Sequence, residues 1–261
     1  MLSRFDEICK ENNLVYWLHG GTLLGSVRDK NFIAWDDDAD VIMPRDSFNK
    51  LRSMRKELTE GDYHFSFPED SDSFFDFIPG FFCDRYLVDQ KMNESENQHF
   101  RTSPKIDIFV LDECGDGLRH KITRWRLVSK YLLARGHREV KMGLDLRVNS
   151  ILKPILSFIA KTYEILGSHK KYSKILAEYE SISLSETGTG GKYIFLSNDQ
   201  PWFLYRKYSK EVFRGSSYGQ IGEGTFPIPE GYEDILIQSY GDYNTKVPQD
   251  QRKPAHYLIK Y

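Results

Sequence analysis

Cysteine is scarce in this chain: Cys9, Cys83 and Cys114 are odd in number, far apart and form no C-x-x-C pair. That excludes a disulfide framework and a cysteine-ligated zinc site, and a reducing compartment is the simplest expectation. Net charge is scarce too, at −2 over the whole sequence. There is no global basic field of the kind that drives non-specific binding to phosphate backbones, so nucleic acid is not an expected partner. Long hydrophobic runs are missing. The most apolar stretch, residues 151–160, is interrupted by Lys153 and Pro154, whereas a membrane span needs roughly 20 apolar residues. The opening MLSRFDEICKENN carries acidic residues and no apolar signal-peptide core, so the expected location is the cytoplasm. Internal repeats and low-complexity tracts are absent, which removes solenoid and disordered readings.

What is present is a folding composition: 261 residues, 40% hydrophobic and 14% aromatic, enough to bury a sizeable core. Residues 2–12 carry Phe5, Ile8 and Cys9 on one side and predict a helix, followed by an apolar strand over residues 14–18. Gly20-Gly21 then breaks the strand, and Thr22 is placed to cap a short helix running to Arg28. Acidic and apolar residues alternate from Asp38 to Met43, a strand period that sets Asp38 and Asp40 on one face. Residues 45–58 have helical spacing through Phe48, Leu51, Met54 and Leu58. Aromatic segments at 63–67 and 81–88 predict strands, and 105–111 (KIDIFVL) is the clearest strand of all. Residues 119–183 turn helical and basic. A flexible break is expected at 188–191, a strand at 192–196, a glycine- and serine-rich stretch at 215–224, an edge strand at 226–229 and a short helix at 232–240. The pattern predicts a mixed α/β (α+β) fold with a mostly helical C-terminal half. Residues 1–118 are expected to form the catalytic core, and 119–261 a donor- or acceptor-binding region packed on it in one continuous domain.

The chemistry concentrates in residues 20–40. Asp36, Asp37, Asp38 and Asp40 are four carboxylates within five positions, a crowding tolerable only if a cation or hydrogen-bond donors neutralise it. Two aspartates at i and i+2 on a strand can both reach one hard cation, Mg²⁺ or Mn²⁺. A solvated acidic turn is the bland alternative, but Trp35 and Val41-Ile42-Met43 hold the cluster at the edge of a core. The glycine turn supplies the complementary half, because N–H groups at a helix N-terminus bind phosphate. Gly20, Gly21 and Thr22 are therefore candidate phosphate-binding residues, with Arg28 about two turns on able to add a charged contact. A third carboxylate is expected from a neighbouring strand. Asp107, flanked by Ile106 and Ile108, qualifies, since a lone aspartate there is costly unless metal-bound or hydrogen-bonded.

Residues 17–28 (WLHGGTLLGSVR), 32–41 (FIAWDDDADV), 106–109 (IDIF) and 240–243 (YGDY) together resemble the LicD family, which includes bacterial phosphorylcholine transferases and is related to fukutin and fukutin-related protein. The resemblance implies a nucleotidyltransferase-like mixed sheet flanked by helices, a CDP-linked donor and a glycan acceptor on teichoic acid, lipopolysaccharide or capsule. It places the family's metal-binding motif on Asp38 and Asp40, with Asp36 beside them, and the later strand carboxylate on Asp107. The closing segment resembles the family's charged signature through Arg252, Pro254 and His256, which makes Arg252 and His256 candidate donor-binding residues. Ala34 stands where many members have proline and Ala39 where they have a larger aliphatic residue; neither change removes a ligand. No cysteine-rich zinc insert is present, and the chain begins inside what would be the family's first helix, which implies further residues upstream.

The resulting expectation is a metal-dependent phosphotransferase. Asp38, Asp40 and Asp107 hold Mg²⁺ or Mn²⁺, an acceptor hydroxyl attacks the donor, CMP leaves, and Asp107 doubles as general base. The alternatives are transfer of a nucleoside monophosphate from a nucleoside triphosphate, transfer of ribitol or glycerol phosphate from the corresponding CDP-polyol, a sugar transferase, and a non-catalytic binding module. The basic stretch from Arg119 to Lys174 reads first as the solvated face of ordinary helices. Its second reading is a surface for an anionic or lipid-linked acceptor at the inner face of a membrane, through peripheral association.

Overall fold

A computed structural model of the chain describes residues 1–70, 77–91, 99–137, 153–252 and 257–258. In chain order its elements are α1 (Leu2–Glu11), β1 (Trp17–Leu18), α2 (Gly20–Arg28), β2 (Ala39–Pro44), α3 (Arg45–Met54), β3 (Tyr63–Ser66), β4 (Gly80–Cys83), β5 (Val88–Lys91), β6 (His99–Thr102) and β7 (Lys105–Cys114). There follow α4 (Leu118–His137), α5 (Lys153–Ser168), α6 (Tyr172–Ser183), β8 (Tyr193–Leu196), β9 (Tyr208–Ser209), β10 (Ser216–Ile221), β11 (Gly224–Pro229), α7 (Tyr232–Tyr240) and β12 (Tyr257–Leu258). The mixed α/β class matches the sequence expectation. The chain divides into two units, one made of Met1–Ser66, Pro79–Leu111 and Tyr208–Tyr261, the other of Phe67–Ile78 and Asp112–Lys207.

In the first unit the main sheet runs β1-β2-β7-β4-β3. All its neighbours are antiparallel except β2 and β7, which run parallel. Val41, Ile42 and Met43 of β2 are all fully buried, as a strand covered on both faces requires. Helix α1 buries Phe5, Ile8 and Cys9, the three- and four-residue spacing that a single apolar stripe produces. Phe5 meets the edge of Tyr16 at 5.1 Å and packs on Phe81 at 5.8 Å, while Phe65 lies 4.6 Å from Phe81. This aromatic cluster anchors α1 to β3 and β4.

The glycine- and serine-rich stretch from Gly215 to Gly224, to which the sequence assigns no element, contains strand β10. It pairs residue for residue with β11 through a two-residue turn, Ile221 opposite Gly224 and Ser216 opposite Pro229. Backbone hydrogen bonds across the hairpin compensate for its low apolar content, and Gly222 at φ +58° supplies the turn. Strands β5, β6 and β12 form a separate small sheet, with Tyr257 opposite Gln90.

In the second unit Leu127, Tyr131 and Ala134 of α4 share one core with Ile175, Tyr179 and Ile182 of α6, closed by Phe77 and Phe195. Glu186 is buried there and accepts the Gly115 N–H at 2.8 Å, with His120 Nδ1 3.2 Å away. Burial alone would raise its carboxyl, but the Gly115 amide and the side chains of Thr123 and His120 outweigh that and hold it below the usual glutamate range. Among the described residues no helix is long and apolar enough to cross a membrane.

All three cysteines are buried thiols outside any disulfide, and burial together with the nearby Asp6 pushes the Cys9 thiol well above the usual range. Because the thiolate is the reactive form, a disulfide-exchange reagent at mildly alkaline pH is expected to label none of them in the folded protein and all of them in denaturant. Rapid labelling without denaturant would contradict this packing.

Candidate functional site

The parallel register of β2 and β7 sets Asp40 opposite Asp107, with Ala39 opposite Ile106 and Val41 opposite Ile108. Since side chains alternate along a strand, Asp40 and Asp107 emerge on one face, and Val41 and Ile108 turn their fully buried side chains to the other. Asp38, two residues before Asp40, shares that face. One carboxylate oxygen from each of Asp38, Asp40 and Asp107 lies within 4.8 Å of the others. The structure thus brings together the three carboxylates singled out in the sequence. Each ionised pair at such a separation repels by about 3 kcal/mol at an effective dielectric of about 20, so the trio demands positive charge. One source is Lys105, ion-paired with Asp107 Oδ1. Sequence reasoning passed over Lys105, although its position two residues before Asp107 on the same strand puts both on one face.

A second source is the start of α2, whose N-terminal N–H groups carry partial positive charge. The glycines there lie directly against the carboxylates. A Cβ built on Gly20 would collide with Asp40 Oδ2, and one on Gly21 with Asp36 Oδ2. Gly20 also has φ +55°, a backbone region costly for other residues. Thr22 does not cap the helix as expected. The helix begins at Gly20 with His19 as its N-cap, and the buried Thr22 Oγ1 accepts the Asp40 N–H at 3.0 Å. The His19 N–H donates to the Asp40 carbonyl at 2.9 Å, so the glycine turn clamps Asp40 from both sides of its backbone. The His19 ring itself is buried edge-on to Phe109 at 5.5 Å.

Arg28 has other partners than a ligand-facing reading implied. Its side chain is only 6% exposed and bonds Asp29 through Nε at 3.2 Å and Nη2 at 2.8 Å, while Nη1 donates to the Tyr243 carbonyl at 3.4 Å. Arg28 and then Lys246 hold the Asp29 carboxyl below its usual range. These contacts tie the end of α2 to the turn after α7, which gives the YGDY segment a structural role. Arg252 stacks its guanidinium over Trp35 at 4.9 Å and donates from Nε to the Val247 carbonyl at 2.8 Å, a position beside the acidic loop that starts at Asp36. His256 lies outside the described residues.

The site is therefore a patch of hard oxygen donors against a helix N-terminus, an arrangement suited to a divalent cation and a phosphate. Residues 13–113 match the family model described as LicD/FKTN/FKRP, nucleotidyltransferase domain, a span that contains all three carboxylates and the glycine turn. The chain is 29% identical over 273 residues to the lipopolysaccharide cholinephosphotransferase LicD of Haemophilus influenzae, covering 100% of this chain and 94% of that protein. Uncharacterised proteins of Rickettsia typhi and Rickettsia prowazekii match shorter stretches. Each is 46% identical, over 55 residues (20% of this chain, 18% of that protein) and 44 residues (16% of each) respectively.

The glycine turn gives a direct test. Gly20→Ala should cost about 1 kcal/mol or more in backbone strain, and Gly21→Ala, which has only the end of the Asp36 side chain to displace, should cost less. Urea midpoints measure both. An unchanged midpoint in Gly20→Ala would mean that Gly20 does not hold its positive φ.

Proposed function

We propose that this chain, a transferase of phosphate-containing groups that carries a LicD-family domain at residues 13–113, moves phosphocholine from a CDP-linked donor to a glycan hydroxyl. The observation that carries the reading is the convergence of Asp38, Asp40 and Asp107 beside the glycine turn. Full-length similarity to a lipopolysaccharide cholinephosphotransferase supports the choice of phosphocholine and of a cell-surface glycan such as lipopolysaccharide or teichoic acid.

Asp38, Asp40 and Asp107 would hold Mg²⁺ or Mn²⁺. Their oxygen-only donor set suits a hard cation, and their mutual repulsion is what such a cation relieves. When bound, it would neutralise charge on the donor diphosphate and on the departing CMP. The chain's own groups do the rest. The N–H groups at Gly20 and Gly21 bind donor phosphate oxygens, and Arg252, held beside the acidic loop by Trp35, adds positive charge to the donor. The acceptor hydroxyl attacks the choline-bearing phosphorus, an O–P bond forms, and the bridging P–O bond breaks to release CMP. Asp107 takes the hydroxyl proton, with Lys105 positioned to exchange partners as charge develops.

Incubation with CDP-choline, CDP-ribitol and CDP-glycerol in Mg²⁺, with a glycan acceptor, should release CMP fastest from CDP-choline. Asp40→Asn and Asp107→Asn should each lower the rate at least about a hundredfold. Pyrophosphate release from a nucleoside triphosphate, with no CMP from any CDP donor, would instead assign nucleotidyl transfer. Asp38→Asn carries a separate signature. By relieving repulsion in the trio it should stabilise the protein in chelator by about 1 kcal/mol, while abolishing the rise in Tm that Mg²⁺ gives the parent. A drop in Tm in chelator, or an undiminished Mg²⁺ response, would remove Asp38 from the cation site.

A further inference from the structure

Helix α4 carries two apolar stripes, and the core uses one of them. His120, Thr123, Leu127, Tyr131 and Ala134 are buried at the helical spacing of a core face. Turned about 180° from it, by the 100° per residue of a helix, run Leu118, Ile122 and Trp125. These are 74%, 50% and 67% exposed. Further along the same stripe Ser129 meets the Tyr163 hydroxyl at 3.3 Å, and Gly167 lies against the Leu133 carbonyl, so α5 packs beside it. The outward side of α5 carries Phe158, Ile165 and Leu166, 74%, 55% and 52% exposed, with Thr162 among them and Lys161 at their border, both exposed too. Single exposed apolar residues are ordinary, but six large ones on two packed helices form a patch of the kind that marks an interaction surface.

Charge decides the partner. Helix α4 contains Arg119, Lys121, Arg124, Arg126, Lys130 and Arg135 and no acidic residue, in a chain of net charge −2. On the helix wheel Arg119 and Arg126 flank the exposed stripe on one side and Lys121 on the other, and all three are exposed. A ridge of tryptophan and branched aliphatics bordered by cations complements an anionic lipid interface. There the apolar side chains enter the acyl boundary and the cations meet the headgroups. At 16 residues α5 is shorter than the roughly 20 that a span requires, so the fit is to a helix lying in the interface.

We propose that the outward faces of α4 and α5 dock this protein onto an anionic lipid bilayer. The proposal is independent of the transfer chemistry and is tested with no donor present. The full chain should sediment with phosphatidylcholine vesicles containing phosphatidylglycerol and far less with phosphatidylcholine alone. Ile122→Ser with Trp125→Ser should weaken binding about tenfold or more. Arg119→Glu with Arg126→Glu should remove the preference for the anionic vesicles, since each cation contributes about fivefold. All four side chains are exposed, and the one hydrogen bond lost, from Arg119 Nη2 to the Ser185 carbonyl at 2.8 Å, is at the surface, so thermal midpoints should fall by no more than a few degrees. A milder variant guards against misfolding: brominated lipid should quench the parent's tryptophan emission, and Trp125→Phe should lose most of that quenching while still binding. No sedimentation, equal binding by parent and both double variants, or undiminished quenching in Trp125→Phe would overturn the proposal. So would a parent that is dimeric without lipid and becomes monomeric in Ile122→Ser with Trp125→Ser, because the face would then belong to a second copy of the chain.

Discussion

The pairing register of β2 and β7 is the constraint on which the candidate site depends. A slip of one residue would place Asp40 opposite Ile106 or Ile108 and turn one strand's carboxylates into the core. What forbids the slip is not the acidic cluster, whose members repel one another. It is the opposite face, where Val41 and Ile108 are fully buried beside Ile42 and Met43. The hydrophobic effect, at roughly 25 cal/mol per Å² of apolar surface, thus holds three like charges where none of them would choose to be. Ligand sites commonly concentrate unfavourable electrostatics in this way, offset by packing nearby.

The glycine turn extends the same logic to the backbone. Two hydrogen bonds, from His19 N–H and to Thr22 Oγ1, fix Asp40 to the start of α2, so the carboxylate cannot move without moving the helix. In return the helix brings bare backbone against Asp36 and Asp40, and any larger residue at Gly20 or Gly21 would push their carboxylates aside. At its other end α2 is held by a pair of neighbouring opposite charges, Arg28 and Asp29, with the Tyr243 carbonyl and Lys246 completing the junction. A helix of nine residues is marginal by itself. Pinned at both ends, it can serve as a rigid wall for a ligand.

Much of this was legible in the sequence, for reasons that particular residues make plain. Helix α1 declares itself by the spacing of its apolar residues, and strands β2 and β7 by short β-branched and aromatic runs that follow their acidic positions. The three aspartates stood out because two share a strand face and the third is the lone charge amid isoleucines. Strand β10 escaped because SSYGQI has almost no hydrophobic alternation; its pairing partner, not its own composition, makes it a strand. Thr22 was misread for a different reason. An N-cap assignment requires knowing where the helix starts, and with a glycine at positive φ opening it, that start lies three residues upstream. For Arg28 a charge and a distance along the helix are readable from sequence, but the partners that claim it, Asp29 and the Tyr243 carbonyl, emerge only from the fold.

The basic stretch after Arg119 shows where sequence patterning runs out. Lysines and arginines on a helix are compatible with plain solvation, and their number alone cannot distinguish that from a binding face. The distinguishing fact is what lies between them. On a merely solvated helix the outward positions would be polar, because an exposed large apolar side chain gains nothing from water. In α4 the positions between Arg119, Lys121 and Arg126 are Ile122 and Trp125, both half or more exposed. The periodicity that would reveal this is masked in the sequence by the core stripe on the opposite side, since two apolar stripes per turn blur into a nearly uniform helix. Only once Leu127 and Tyr131 are assigned to the core does the remaining apolar set emerge as a second face with cations along its borders.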